Sequence, residues 1–413
     1  MRIQAMILGL IGLLPWASAR AAEECEKGEA WDAGMAMCMP IPAAGKTVRS
    51  LSVRANAFGA YVTGSGPRGK DAFAAPNWVM ADLGTSAGER HYFNLDFMGT
   101  AEKWTFPRSG YPLLGQIGEH DENGAPFIDS QHPHSSPIMG LTLSDTIALG
   151  DGEGRSLKLS FAPRGESIDG PIAFMHRSTG EVNPDAPLGH HLGQDAGHIS
   201  STVFAAGLGL GTTRIEASAF HGAEPEPTKV DLPMGSPDSY SLRLSHDFSS
   251  AFTAMASAAY VKNPEHDDPT IPFVARYSAS AYSKHSLGTF RFENTFILGM
   301  IAKYDHVPTL FSVGEEFLLR DESANSIFGR FEFIQRTADE LAIPSSTPDE
   351  ARPVYATTLG YTRSLVRGET GEVGLGVSGT HLFLPAEFRG AYDGDPWSGK
   401  VFLRITGMKA WDL

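Results

Sequence analysis

The chain has 413 residues, 42% hydrophobic and 20% charged, which is enough apolar material for a packed structure and argues against wholesale disorder. Acidic residues outnumber basic ones 48 to 33, a formal charge of −15 and the wrong sign for a nucleic-acid partner. Forty-five glycines and 10% aromatics suit many strands and turns better than a helical bundle.

The first element is a leader. Arg2, the apolar run Ile7 to Trp16 and the Ala19-Arg20-Ala21 cleavage site read as a signal peptide over residues 1–21. Residues 22–49 follow as a periplasmic segment carrying Cys25 and Cys38. An exported compartment permits a disulfide between them. A soft-metal site is the rival reading, because Met35, Met37 and Met39 surround Cys38 and thioethers suit Cu(I). No later stretch offers 18 consecutive apolar residues, so a helical membrane protein is excluded. A β-barrel is not, because its alternating strands average out in hydropathy.

From about residue 50 to residue 413 the pattern is strands. Phe93, Leu95 and Phe97 share one face of their strand, and Leu157, Leu159 and Phe161 do the same in theirs. The clearest case sets Phe290, Phe292, Phe296 and Leu298 against Arg291, Glu293 and Thr295. Phe331 and Phe333 likewise oppose Arg330 and Glu332, and Val401, Leu403 and Ile405 oppose Arg404. The count is about 16 strands, and short turns alternate with long loops. That parity predicts an all-β fold, a single transmembrane antiparallel up-and-down barrel in a bacterial outer membrane, with aromatics towards lipid and charges towards a wet lumen. Glu315 breaks the pattern by sharing a face with Phe311 and Phe317, so its register is open. At the carboxyl end Trp411 takes the place of a terminal aromatic.

The histidines gather in the long loops. One loop holds His120 and Asp129-Ser-Gln-His132-Pro-His134. The next holds His176 and Gly189-His190-His191-Leu-Gly-Gln-Asp195, with His198 and His221 just beyond. Paired imidazoles can reach one ion, and Asp129 and Asp195 can supply oxygens or orient the rings. The candidate metal residues are therefore His132, His134, His176, His190, His191, His198, His221, Asp129 and Asp195, with copper or zinc as the ion. The competing reading is that loop histidines hold loop shape through backbone hydrogen bonds.

Three segments, FIDSQHPHSSPIMGLTLSDT from Phe127, AFMHRSTGEVNPDAPLGHHLGQDAGHIS from Ala173 and SAFHGAEPEP from Ser218, resemble a family of uncharacterised exported bacterial proteins predicted to be outer-membrane barrels. The resemblance rests on Asp-x-Gln-His-Pro-His, Phe-Met-His-Arg…His-His and Phe-x-Gly-x-Glu-Pro motifs. This chain departs from it at Ser130 and Ala223, where arginines are typical. The resemblance implies a link to heavy-metal handling, especially copper.

Three functions are carried forward. The first is a porin-like channel or uptake protein for small solutes or cations, with histidine-rich loops narrowing the lumen. The second is a transition-metal-binding outer-membrane protein without transport. The third is a rim hydrolase, using His134 with Ser135 and Ser136, or His120 with Asp121 and Glu122. No catalytic residue is assigned, and the enzyme reading is the least favoured. The expected partner is the lipid bilayer, with room left for a homo-oligomer.

Overall fold

The computed structural model describes residues 29–32, 37–40, 49–121, 123–134, 136–150, 154–195, 197–227, 229–264, 271–303, 308–322 and 325–413. The signal peptide, Cys25 and the side chain of Cys38 lie outside the described residues, as does Ser135.

Sixteen antiparallel staves close into one barrel. They are β1 (Arg49–Gly64), β2 (Asn77–Ala87), β3 (His91–Gly99), β4 (Ile138–Ala148), β5 (Arg155–Gly165), β6 (Ser200–Leu210), β7 (Thr213–His221) and β8 (Ser239–Ser249). The second half is β9 (Phe252–Lys262), β10 (Phe273–Leu287), β11 (Phe290–Lys303), β12 (Leu310–Asp321), β13 (Asn325–Arg336), β14 (Arg352–Gly368), β15 (Gly371–Phe383) and β16 (Trp397–Asp412). A short strand, Ala72–Ala74, continues β2 along the upper part of β1. Each stave pairs with its sequence neighbour, and β16 closes onto β1 from Ser398↔Gly64 to Asp412↔Ser50. Short turns fall at one rim and long loops at the other, as the sequence parity predicts.

Side-chain alternation decides which face meets what. Along β14 and β15, Leu359, Tyr361, Leu375 and Val377 are exposed on the outer face, while Thr358, Thr362, Ser378 and Thr380 are buried inside. Every backbone group inside a membrane must find a partner, and a closed ladder supplies one at each stave. Glu315 points outwards with Phe311, so the register runs straight through it; the Asn294 side-chain amide donates to its Oε1 at 3.3 Å. Trp411 and Leu413 are both exposed at the last stave.

The bore is not simply wet. Two long loops, 100–137 and 166–199, fold into it. The first forms an inner hairpin, Tyr111–His120 with Pro126–Gln131. Residues Tyr111 to Gln116 are buried on both sides, so they lack the period-two signal that marks the wall strands. Leu113 and Leu114 of this hairpin pack with Leu188 and Leu192 of the second loop in one apolar cluster that includes Phe58, Phe328 and Phe402 of the wall.

Ion pairs seat the second loop. Arg177 donates to both oxygens of Glu316 on β12, at 3.0 and 2.8 Å, and Arg330 on β13 donates to the same carboxylate at 3.1 Å. Lys400 on β16 pairs with Asp185 at 2.6 Å. The inward charges are therefore largely spent on holding the loops. Gly299 of β11 completes the seat: a Cβ there would lie 2.2 Å from the Leu192 carbonyl oxygen, so only glycine permits that approach.

Candidate metal centre

Both inserted loops deliver histidines to one place. From the first loop, Pro133 separates His132 and His134. From the second, His190 and His191 open a wide helical turn, His190–Gln194, with Gly193 at φ +80°. Glu332 of β13 fixes the start of that turn by accepting the Leu188 N–H at 2.6 Å, and Arg336 donates to the Leu188 carbonyl at 2.7 Å. His198 follows just before β6.

Five imidazoles form a connected cluster. Ring centroids are 4.4 Å apart for His190–His198, 4.6 Å for His190–His191, 5.2 Å for His134–His198, 5.5 Å for His132–His191 and 5.7 Å for His132–His134. Within it two ligand-like groups occur. In His132–His191–Glu224 and in His190–Asp195–His198, one side-chain donor atom per residue lies within 4.8 Å of the others. His191 is 24% exposed and Glu224 16%, so this pair forms the solvent-facing edge.

The contact that brings His134 of the first loop onto the second group is the most telling. His134 Nε2 and His198 Nε2 are 3.0 Å apart. His134 Nδ1 lies 2.7 Å from Glu102 Oε2, and His198 Nδ1 lies 2.9 Å from the Asp195 carbonyl oxygen. Both acceptors require an N–H on Nδ1, which leaves both Nε2 lone pairs aimed at each other in the neutral rings. A proton or a metal ion must sit between them. An imidazole whose far N–H is held by a carboxylate or a carbonyl is the usual support for a metal-bound histidine.

Electrostatics point the same way. Burial, then the neighbouring His134 charge, pushes His190 down to about 3. Burial likewise drives His132, His191 and His198 well below the ordinary histidine value. Burial also works against charged His134, but the Glu102 carboxylate outweighs it and holds that ring above its ordinary value. Burial raises Asp195 to about 6 against the pull of His198 and Arg177. In the metal-free cluster His134 is thus the ring that holds an extra proton most readily, and His198 is placed to accept it across the 3.0 Å contact.

The structure places the remaining sequence candidates apart from these two groups. His176 faces Glu166, with Nδ1 to Oε1 at 3.0 Å, and packs edge-on to Trp78. His221 meets the Ser236 carbonyl oxygen at 3.2 Å near the rim. Asp129 is committed elsewhere: it accepts from the Gly115 N–H and the Tyr392 hydroxyl, both at 2.7 Å, and pairs with Arg68 at 2.6 Å. Its left-handed backbone, φ 54°, shapes the inner hairpin instead. Sequence reasoning missed Glu102 and Glu224. Glu102 stands 32 residues before His134 and carried no motif; Glu224 stood in the Glu-Pro motif but was not read as a ligand.

No protein-family model and no curated protein matches the sequence. Solved structures do match. An anion-selective porin from Comamonas acidovorans superposes with a TM-score of 0.53 at 9% identity, covering 88% of this chain and all of that one. OmpF of Salmonella typhi, in complex with daunomycin, gives 0.50 at 10% identity over 87% and 97% of the two chains. OprB of Pseudomonas putida gives 0.50 at 11% over 88% and 94%. At such identities the likeness speaks for the fold: this chain has the barrel of the outer-membrane porins.

Proposed function

We propose that this chain is a porin-like protein of the outer membrane whose inserted loops narrow the bore and bind a transition metal, zinc or copper, at the constriction. The ligands come from His132, His134, His190, His191 and His198, with Glu224 and Asp195. One observation carries the reading: two Nε2 atoms from different loops converge at 3.0 Å while both Nδ1 atoms are held by acceptors. Two nitrogens bound to one tetrahedral zinc at about 2.0–2.1 Å lie about 3.3 Å apart, so a small outward shift admits the ion. Imidazole suits either zinc or copper.

The apolar packing of Leu113, Leu114, Leu188 and Leu192 favours a second reading, metal binding without transport. Two experiments separate these. Zinc and Cu²⁺ titration of the folded barrel should show a site that weakens at least a hundredfold in His134→Ala/His198→Ala and in His132→Ala/His191→Ala. Unchanged affinity in both double variants would remove the loops as ligands. Planar-bilayer conductance supports passage of small solutes or cations; silence at high protein load, with metal binding intact, favours the second reading.

A further inference from the structure

Arg164 is a buried charge whose side-on fork makes no hydrogen bond among the described residues. It is inward-facing on β5 and 3% exposed, and neither its Nε nor its Nη2 makes a hydrogen bond among the described residues. The nearest carboxylate is on Asp231, 3.9 Å from Nη2 and half exposed on the 222–238 loop. A guanidinium keeps its charge under all ordinary conditions, so a buried one left without an anion is costly.

Its surroundings are made for an oxyanion. Directly across the ladder, Arg164 pairs with Ser201 on β6. The Ser201 hydroxyl is buried and without a partner among the described residues, and so is that of Thr202. Thr202 sits at φ 50° where the β6–β7 register shifts, between Ser201 and Phe204, so the strand bulges on its β7 side at these residues. The Nε/Nη2 edge of arginine matches two oxygens of a carboxylate or phosphate in parallel. Arg164 also lines a narrow cleft of about 20 Å³ together with His132, His134, Ser136, Glu224 and Glu226. The same cleft therefore holds an orphaned cationic fork and the mouth of the histidine cluster.

We propose that this cleft is an oxyanion site centred on Arg164, which takes a small phosphate or carboxylate beside the histidines and takes it more tightly once the metal is bound. The coupling rests on the metal reading above. In the metal-free protein, Glu224 and Glu226 face the cleft and oppose an anion. A divalent ion held in the histidine cluster, whose His132 and His134 line the cleft, adds positive charge there and offsets these carboxylates. The bound anion can then complete the open coordination of the ion, and its charge in turn favours the metal. Linkage requires that the anion strengthen metal binding by the factor by which metal strengthens anion binding.

The test uses the full barrel in detergent, freed of excess metal, titrated calorimetrically with inorganic phosphate and with acetate, before and after loading with one equivalent of zinc. Arg164→Gln should lower affinity for the bound anion about tenfold or more, and Ser201→Ala by about two- to fivefold. Zinc affinity measured without added anion should stay within about twofold in Arg164→Gln. Circular dichroism and resistance of the folded barrel to SDS show that each variant is closed, and Ser201→Ala carries the test if Arg164→Gln does not fold. Phosphate without acetate binding, or the reverse, identifies the oxyanion class. Equal phosphate and acetate affinities in wild type and Arg164→Gln would overturn the site. Equal anion affinity with and without bound zinc would overturn the coupling. Zinc that fails to bind while Arg164-dependent anion binding persists upholds the anion site and overturns the metal reading alone.

Discussion

Arg177 and Glu316 face each other across the boundary between inserted loop and barrel wall, joined by two parallel hydrogen bonds of 3.0 and 2.8 Å, both side chains almost fully buried. Removing Glu316 leaves both Arg177 and Arg330 charged and dry. Glu316→Ala should destabilise the seated loop by about 3–5 kcal/mol, and Arg177→Met added to it should restore part of that loss. Thermal unfolding of the single and double variants measures both.

The close approach at Gly299 gives a sharper handle on the same loop. A methyl group there meets the Leu192 carbonyl oxygen and the Ser312 hydroxyl, 2.2 and 2.5 Å from its ideal position. Gly299→Ala should cost about 1–3 kcal/mol. The wall ladder does not need that glycine, so the loss falls on the loop. Limited proteolysis should cut within 166–199 in this variant while the SDS-resistant barrel persists. Cleavage no faster than in wild type would show that the loop does not rest on β11.

Glu102 reaches the proposed metal only through His134, whose Nδ1 lies 2.7 Å from its Oε2. Glu102→Ala removes the carboxylate that fixes the proton on Nδ1, so zinc affinity should fall about 10–100-fold. Glu102→Gln, which retains an acceptor oxygen, should lose less. Zinc competition titration at neutral pH gives both numbers, and equal affinity in wild type and Glu102→Ala would detach this residue from the site.

The metal-free protein should lose stability on acidification. His132, His190, His191 and His198 have depressed values, about 3 for His190, so between that value and their unfolded value near 6.5 the unfolded chain binds more protons. Their contribution is fully present above about 6.5 and is lost as pH falls. Asp195, raised to about 6, opposes this between about 3.8 and 6, and raised His134 adds stability below about 6.5 that fades as pH climbs through its folded value. Against burial, the Glu166 carboxylate holds His176 above its ordinary value, so this ring acts in the same sense as His134. Four groups outweigh three, so the melting temperature should drop between pH 7 and pH 5. His190→Gln/His191→Gln should flatten that slope.

The wall was legible in the sequence because lipid and lumen impose opposite chemistry on alternate residues. Phe290, Phe292, Phe296 and Leu298 against Glu293 and Thr295 announce a two-sided strand, and the parity of connection lengths announces a closed one. The inner hairpin was not legible. Its Tyr111 to Gln116 run is buried on both faces, and with neither face wet there is no period to read. The histidine cluster was half legible. Gln-His-Pro-His and His-His mark loops that can supply imidazoles, but nothing local says that His198 joins them while His221 stays at the rim. The commitment of Asp129 to Arg68 and Tyr392 was hidden for the same reason, since both partners lie far off in sequence.

The seam between β1 and β16 carries a consequence for assembly. It joins residues near 50 to residues near 412, and the Leu413 N–H donates to the Arg49 carbonyl oxygen at 2.9 Å. Every other stave pairs with a neighbour in the chain; this one zips partners separated by the whole cylinder. Loop-closure entropy puts such a contact last, after the hairpins have formed. Until then both edges stand open, so docking of the second inserted loop, whose Glu181 pairs with Arg54 of β1 and with Arg404 of β16, should help draw the two edges together.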